Sequence, residues 1–169
     1  MIIEVQHNFI PEKEYILHVI FREFLGLDFT LKTVGKPQYS IVLPNHRKLV
    51  FSDSFFSRLE EDGNFYQTAQ VPADVQFATN EFSPEEDLVV IFGNDEFEKG
   101  NDLVCGFDLF ASAFFMLTRW EEMVSGVRDE HDRFPDQEAL AVRFGFHHKP
   151  VVNEYVEFIR NALLHLGLK

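Results

Sequence analysis

A single cysteine, Cys105, stands among the 169 residues, so no intrachain disulfide can form. That usage is compatible with a reducing compartment. Cationic side chains are also scarce: 15 Lys and Arg face 28 Asp and Glu, for a formal charge of −13. No basic run interrupts that acidic field, which argues against nucleic acid as a partner and against an anionic membrane surface. The charge is accounted for as a solubility feature. No apolar stretch approaches the ~20 residues of a membrane span. The opening residues, Met1 to Val5, lack a basic segment followed by an apolar one, so no secretory leader is expected. Cytoplasmic residence is the expectation. Phosphate-cradling loops are missing as well: the chain holds no Gly-x-Gly-x-x-Gly and no Gly-Lys-Ser/Thr.

Phenylalanine, in contrast, is abundant, with 20 copies, most of them in apolar periodic runs that read as core. The length suits one domain over residues 1–169. Residues 1–6 alternate as a strand, and Pro11 suits the first turn of a helix whose apolar face is Tyr15, Ile16, Val19, Ile20 and Phe24. Gly26 stops that helix and 28–34 alternate again, which completes a βαβ unit. Residues 39–43 and 48–51 are expected to pair as a hairpin about Pro44-Asn45-His46-Arg47. Ser52 or Asp53 can cap a short helix carrying Phe55, Phe56 and Leu59. Residues 60–86 read as an irregular loop, pinned to the core by Phe65, Tyr66, Val71, Val75, Phe77 and Phe82. The run Leu88 to Phe92 fits a strand buried on both faces, as in a parallel sheet, ended by Gly93-Asn94-Asp95. A short apolar segment, Leu103-Val104-Cys105, then leads into a helix from Asp108 to about Val124, apolar nearly all round in its first half. A short helix from about Asp136 to Phe144 and a last helix opened by Pro150 complete the chain. The fold expected is α/β, a three-layer arrangement with a mixed, mainly parallel sheet; the alternative is α+β.

The densest polar chemistry is Arg128-Asp129-Glu130-His131-Asp132-Arg133. A carboxylate beside an imidazole can orient a general base, and arginines can fork onto a carboxylate or phosphate. The competing reading is a solvated loop whose ions pair locally and pin two helices together. No His-x-x-x-His occurs, and the adjacent His147 and His148 point apart, so no metal site and no cofactor are expected. Cys105 lacks the small residues two before and two after it that a strained nucleophile turn needs; Leu103 and Phe107 stand there. Asp108 reads as the cap of the apolar helix.

Phe107 to Glu122, Arg128 to Pro135, Gly145-Phe146 and Lys149 to Tyr155 together resemble an uncharacterised amino-terminal domain found ahead of the catalytic domain in bacterial polysaccharide-deacetylase-like proteins. The catalytic module's Asp-Asp and His-x-x-x-His pairs do not occur here. The resemblance therefore implies a non-catalytic accessory or interaction domain, with a deacetylase-like catalytic domain or protein as its partner. The polar matched positions supply the candidate binding residues: Asp108, Arg119, Glu122, Arg128, Asp129, His131 and Arg133. The rival expectation is a small ligand-binding domain or enzyme that uses the loop 128–133, with His131 and an arginine converging in a pocket.

Overall fold

The first 34 residues form the strand–helix–strand unit that their spacing predicts. In the computed structural model, which describes residues 1–62, 65, 71–84 and 87–169, β1 (Ile2–Gln6) pairs in parallel with β2 (Thr30–Val34). Between them α1 (Ile10–Leu17) holds Pro11 and Glu12 in its first turn. The helix then widens to a π-helical segment over His18–Phe24, closed by the Leu25 N–H on the Ile20 carbonyl at 3.1 Å. Its buried face is Lys13, Ile16, Leu17, Ile20 and Phe21, while Tyr15 and Phe24 are exposed. The expected apolar face is thus rotated, because a lysine occupies a core position.

β3 (Gln38–Val42) and β4 (Lys48–Ser52) form the predicted hairpin, with Tyr39 opposite Phe51 and Ile41 opposite Leu49. The run at 88–92 departs from expectation. Its strand, β6 (Leu88–Val90), is fully buried but pairs with β5 (Gln76–Ala78) in a separate two-stranded ribbon. Gly93 does not end the strand region. It starts β7 (Gly93–Lys99), a mostly exposed edge strand antiparallel to β8 (Leu103–Phe107). A strand of sequence Gly-Asn-Asp-Glu-Phe-Glu-Lys has almost no apolar alternation to announce it. Its charges suit an edge, where unpaired backbone must not recruit another chain.

The main sheet runs β2-β1-β3-β4-β8-β7. β1/β2 and β4/β8 are parallel, whereas β1/β3, β3/β4 and β7/β8 are antiparallel. The sheet is therefore mixed but mostly antiparallel, which corrects the mainly parallel expectation. The connections at 43–47 and 100–102 are hairpin-length, and a parallel pair needs a crossover of about a dozen residues or more.

Burial alternates along β1, β4 and β8, while β3 buries Tyr39, Ser40 and Ile41 in succession. Ile3 and Val5, Leu49 and Phe51, and Leu103, Cys105 and Phe107 are buried on one face. That face is covered by α1, by α2 (Leu109–Leu117) and by α5 (Val151–His165), with Phe110 and Phe158 both packed on Phe51. The other face keeps Ile2, Glu4, Val50 and Val104 only partly covered or exposed. The expected three-layer arrangement is not confirmed among the described residues: α1, α2 and α5 share one face of the sheet.

The long helix breaks. α2 ends at Leu117, Arg119 takes a left-handed conformation (φ 53°), and α3 (Trp120–Val124) starts anew. The break turns Trp120 into the core against Phe55, Phe65 and Phe114. A left-handed residue costs roughly 1–2 kcal/mol, less than the ~3–5 kcal/mol at stake in a buried tryptophan. A 3₁₀ turn at Asp136–Glu138 and α4 (Leu140–Arg143) replace the single helix expected over 136–144. Within the loop 60–86, Phe65, Val75 and Phe82 are buried as expected and Phe77 is exposed; Tyr66 lies outside the described residues.

Candidate functional site

The charged segment folds on itself before it can do anything else. Asp129 Oδ1 accepts the backbone N–H of His131 (2.8 Å) and of Arg133 (2.9 Å), and the Asp129 N–H donates to the Arg133 carbonyl (2.8 Å). Asp132 at φ 57° makes the turn. Arg133 Nη2 then reaches Asp129 Oδ2 at 2.9 Å. The Arg133 N–H, the His131 N–H and the Arg133 guanidinium hold the Asp129 carboxyl below its ordinary range.

Arg128 turns the other way, donating to the carbonyls of Ser125 (3.0 Å), Val127 (2.6 Å) and Glu122 (3.1 Å). It thereby satisfies backbone acceptors freed where α3 ends. Arg119 pairs with Glu122, its Nε 2.7 Å from Oε1. Glu121, half-buried, accepts the Leu140 N–H at 2.7 Å and so ties α3 to α4. Burial raises its pKa despite that bond.

Between α3 and the segment reaching Gln137 these groups leave an open cleft of about 850 Å³. It brings together five of the seven sequence candidates: Arg119, Glu122, Arg128, Asp129 and Arg133. His131 is not among its walls; its ring is exposed, with Nε2 3.4 Å from Glu130 Oε1. The expected convergence of His131 with an arginine is therefore absent from this cleft. Three arginines face the carboxylates of Glu122, Asp129, Asp132 and Asp136, and each guanidinium already has a partner. Such a surface offers many hydrogen bonds and almost no net field, which suits a polar or uncharged partner better than a strongly anionic one.

Asp108 lies elsewhere, in a second polar gathering that the sequence did not announce. It follows β8, Asp53 follows β4, and both point into the protein at the carboxyl ends of these parallel strands. Lys13, fully buried on α1, sits 2.6 Å from Asp53 Oδ2 and donates also to the Gln6 carbonyl and Asn8 Oδ1. Asp53 Oδ1 accepts the Ser57 N–H (3.2 Å), although the expected short helix is only a 3₁₀ turn over Phe56–Arg58 with Phe55, not Asp53, at its N-cap. Asp108 accepts three backbone N–H groups: Ala111 at 3.0 Å, as the predicted cap of α2, and Ser54 and Phe55 at 2.8 and 3.1 Å. Its pKa is nevertheless pushed up to about 7, by burial first and by Asp53 second, with the three N–H groups acting against the rise. The buried Tyr39 hydroxyl has no hydrogen-bond partner among the described residues, and burial, Asp108 and Asp53 all disfavour its ionisation. The signal for Lys13 was available: with Ile16, Leu17 and Ile20 it falls on one helical face at spacings of three, four and seven.

No group of three or more His, Cys, Asp or Glu placed to hold a metal is found among the described residues. Cys105 is buried, and burial pushes its thiol far above the ordinary range, which marks an inert side chain. None of the helices among the described residues is long and apolar enough to cross a membrane.

Comparison with curated proteins and with solved structures finds no match. A family model matches residues 1–167, and nothing in it connects the chain with polysaccharide deacetylases. Over nearly its whole length, therefore, the chain belongs to a family of unknown function, DUF7033.

Proposed function

We propose that this chain is a non-catalytic accessory or interaction domain, and that the cleft between α3 and Gln137 is its contact surface. The observation that carries the reading is the self-neutralisation of that cleft. Its arginines are engaged by Glu122, by Asp129 and by backbone carbonyls, and no thiol, hydroxyl or imidazole stands among them with a base beside it. Paired charges at a rim contribute specificity and register more than affinity. The partner we assign is a deacetylase-like catalytic module acting on a polysaccharide, in the cytoplasm; the likeness of segments 107–122, 128–135, 145–146 and 149–155 to domains that precede such modules supports the choice.

The test has two arms. Purified chain is assayed for release of acetate from an acetylated glycan with and without chelator, and a deacetylase-like catalytic domain encoded in the same reading frame or beside it is titrated against the chain. No turnover, with saturable binding that weakens in Arg119→Glu/Arg133→Glu, is expected. Chelator-sensitive turnover by this chain alone would overturn the proposal.

A second reading rests on the size of the same cleft: about 850 Å³ is room for a small polar molecule. It makes the chain a ligand-binding domain that uses Arg119, Arg128 and Arg133. Titration with neutral oligosaccharides, read at the Arg119 and Arg133 side-chain signals, separates it from the first.

A further inference from the structure

Outside the carboxyl ends of β4 and β8 lies a second crevice, of about 420 Å³, unrelated to the charged cleft. Ligands in open α/β sheets bind beyond the carboxyl ends of strands, where successive connections diverge. Here the crevice opens where the chain leaves β4, at Ser54 and Phe55, and meets the start of β7 at Gly93. Seven of its ten lining residues are apolar, with Phe55 and Phe92 in contact (ring centroids 4.5 Å apart) and Leu59 and Pro72 beside them, while backbone and Arg58 supply polar surface.

One cation lines it, Arg58, exposed and with no partner for its guanidinium among the described residues. Four carboxylates of the neighbouring segments are engaged elsewhere. Asp53 holds Lys13, Asp108 holds the Ser54 and Phe55 N–H groups, Glu61 accepts the Phe9 N–H and Asp74 accepts the Val75 N–H. In a chain of net charge −13, an arginine left unpaired beside an aromatic-walled crevice is a receptor for a negative charge. A second unsatisfied group stands at the same place: Ser54 lines the crevice, and its Oγ is shielded from water and has no hydrogen-bond partner among the described residues.

We infer that this crevice binds a small ligand with a flat apolar body and one anionic group, a carboxylate or a phosphate, the body lying against Phe55 and Phe92 and the anion on Arg58. The test titrates the full chain with benzoate, phenyl phosphate and, as the uncharged counterpart, benzyl alcohol, following the backbone amide signals of Phe55, Arg58, Phe92 and Gly93. Saturable shifts are expected with at least one anion, about tenfold weaker in Arg58→Ala, partly retained in Arg58→Lys and unchanged in Arg160→Ala, which lies in neither crevice. The stronger of the two anions identifies the charged group. Arg58 is exposed, so its variants fold. Failure of both anions to saturate, equal binding by benzyl alcohol, or equal binding by Arg58→Ala would each overturn the inference, and none of these results touches the charged cleft.

Discussion

Lys13–Asp53 and Arg133–Asp129 are the same chemical pair in opposite surroundings. The cation lies 2.6 Å from a carboxylate oxygen in the first and 2.9 Å in the second. Both members of the first are sealed from solvent, whereas the Arg133 side chain is 69% exposed. Removing an ion from water costs several kcal/mol, so the buried pair survives only because every neighbour helps. The Gln6 carbonyl, Asn8 and the Ser57 N–H complete its hydrogen bonds, and the Asn8 amide in turn holds the Phe56 carbonyl. The exposed pair needs no such shell, and water competes for both of its members. Geometry alone does not rank interactions; what surrounds them does. The buried cluster is a joint between α1 and the segment after β4, and the exposed one is a surface free to meet something else.

The contrast is broken most forcefully at Lys13. Lys13→Met leaves the buried Asp53 without its cation, and a loss of ~3–5 kcal/mol in urea-unfolding stability is expected. Lys13→Met/Asp53→Asn, which removes both charges and keeps an acceptor for the Ser57 N–H, should recover a large part of that loss. If the double variant is as unstable as the two single losses added together, the pair is not a coupled unit.

Asp108 gives the next largest effect, and its sign is fixed by its raised pKa of about 7. Between the ordinary carboxylate range and pH 7 the folded chain keeps a proton that the unfolded chain releases. This group's contribution to stability is therefore full at low pH and is lost as pH rises toward 7. In Asp108→Asn the difference between stability at pH 5 and at pH 8 should change by on the order of 3 kcal/mol relative to the parent, in the direction of less loss at the higher pH. Identical pH profiles in the two proteins would show that Asp108 is ionised throughout.

Both polar regions were unequally legible in the sequence, for physical reasons. The strands at 1–6 and 48–51 and the last helix are legible by period, because each buries one face and leaves the other more open, whereas β2 buries none of its residues and β3 buries three in succession. β7 is not legible in this way: an exposed edge strand is held by its neighbour's backbone, so its side chains carry no pattern. The parallel character was misjudged because the run 88–92 is covered by α5, where the Tyr155 hydroxyl donates to the Val89 carbonyl, and burial on both faces mimics a central strand. The surface cleft was legible since its residues are neighbours along the chain. Lys13, Tyr39, Asp53 and Asp108 come from four separate segments, and only the fold brings them together. Asp108 was singled out as a cap, which it is; its hold on Ser54 and Phe55, 53 and 54 residues away, had no local signal.

The smallest expected effect sharpens the comparison from the exposed side. Arg133→Ala should barely move the unfolding midpoint, and whatever difference it makes should vanish at about 0.5 M NaCl, where screening shortens the reach of a surface charge to a few ångströms. Asp129→Ala is the more telling variant. Its carboxylate holds two backbone N–H groups of the turn besides the arginine, so the loop's amide protons should exchange faster even where the midpoint is unmoved. Lys13→Met should behave in the opposite manner, with its loss undiminished by salt, since no ion reaches a pair with zero exposure. Salt erasing both losses equally would mean that water reaches Lys13 and Asp53 in the folded chain, and the two pairs would then differ in position but not in kind.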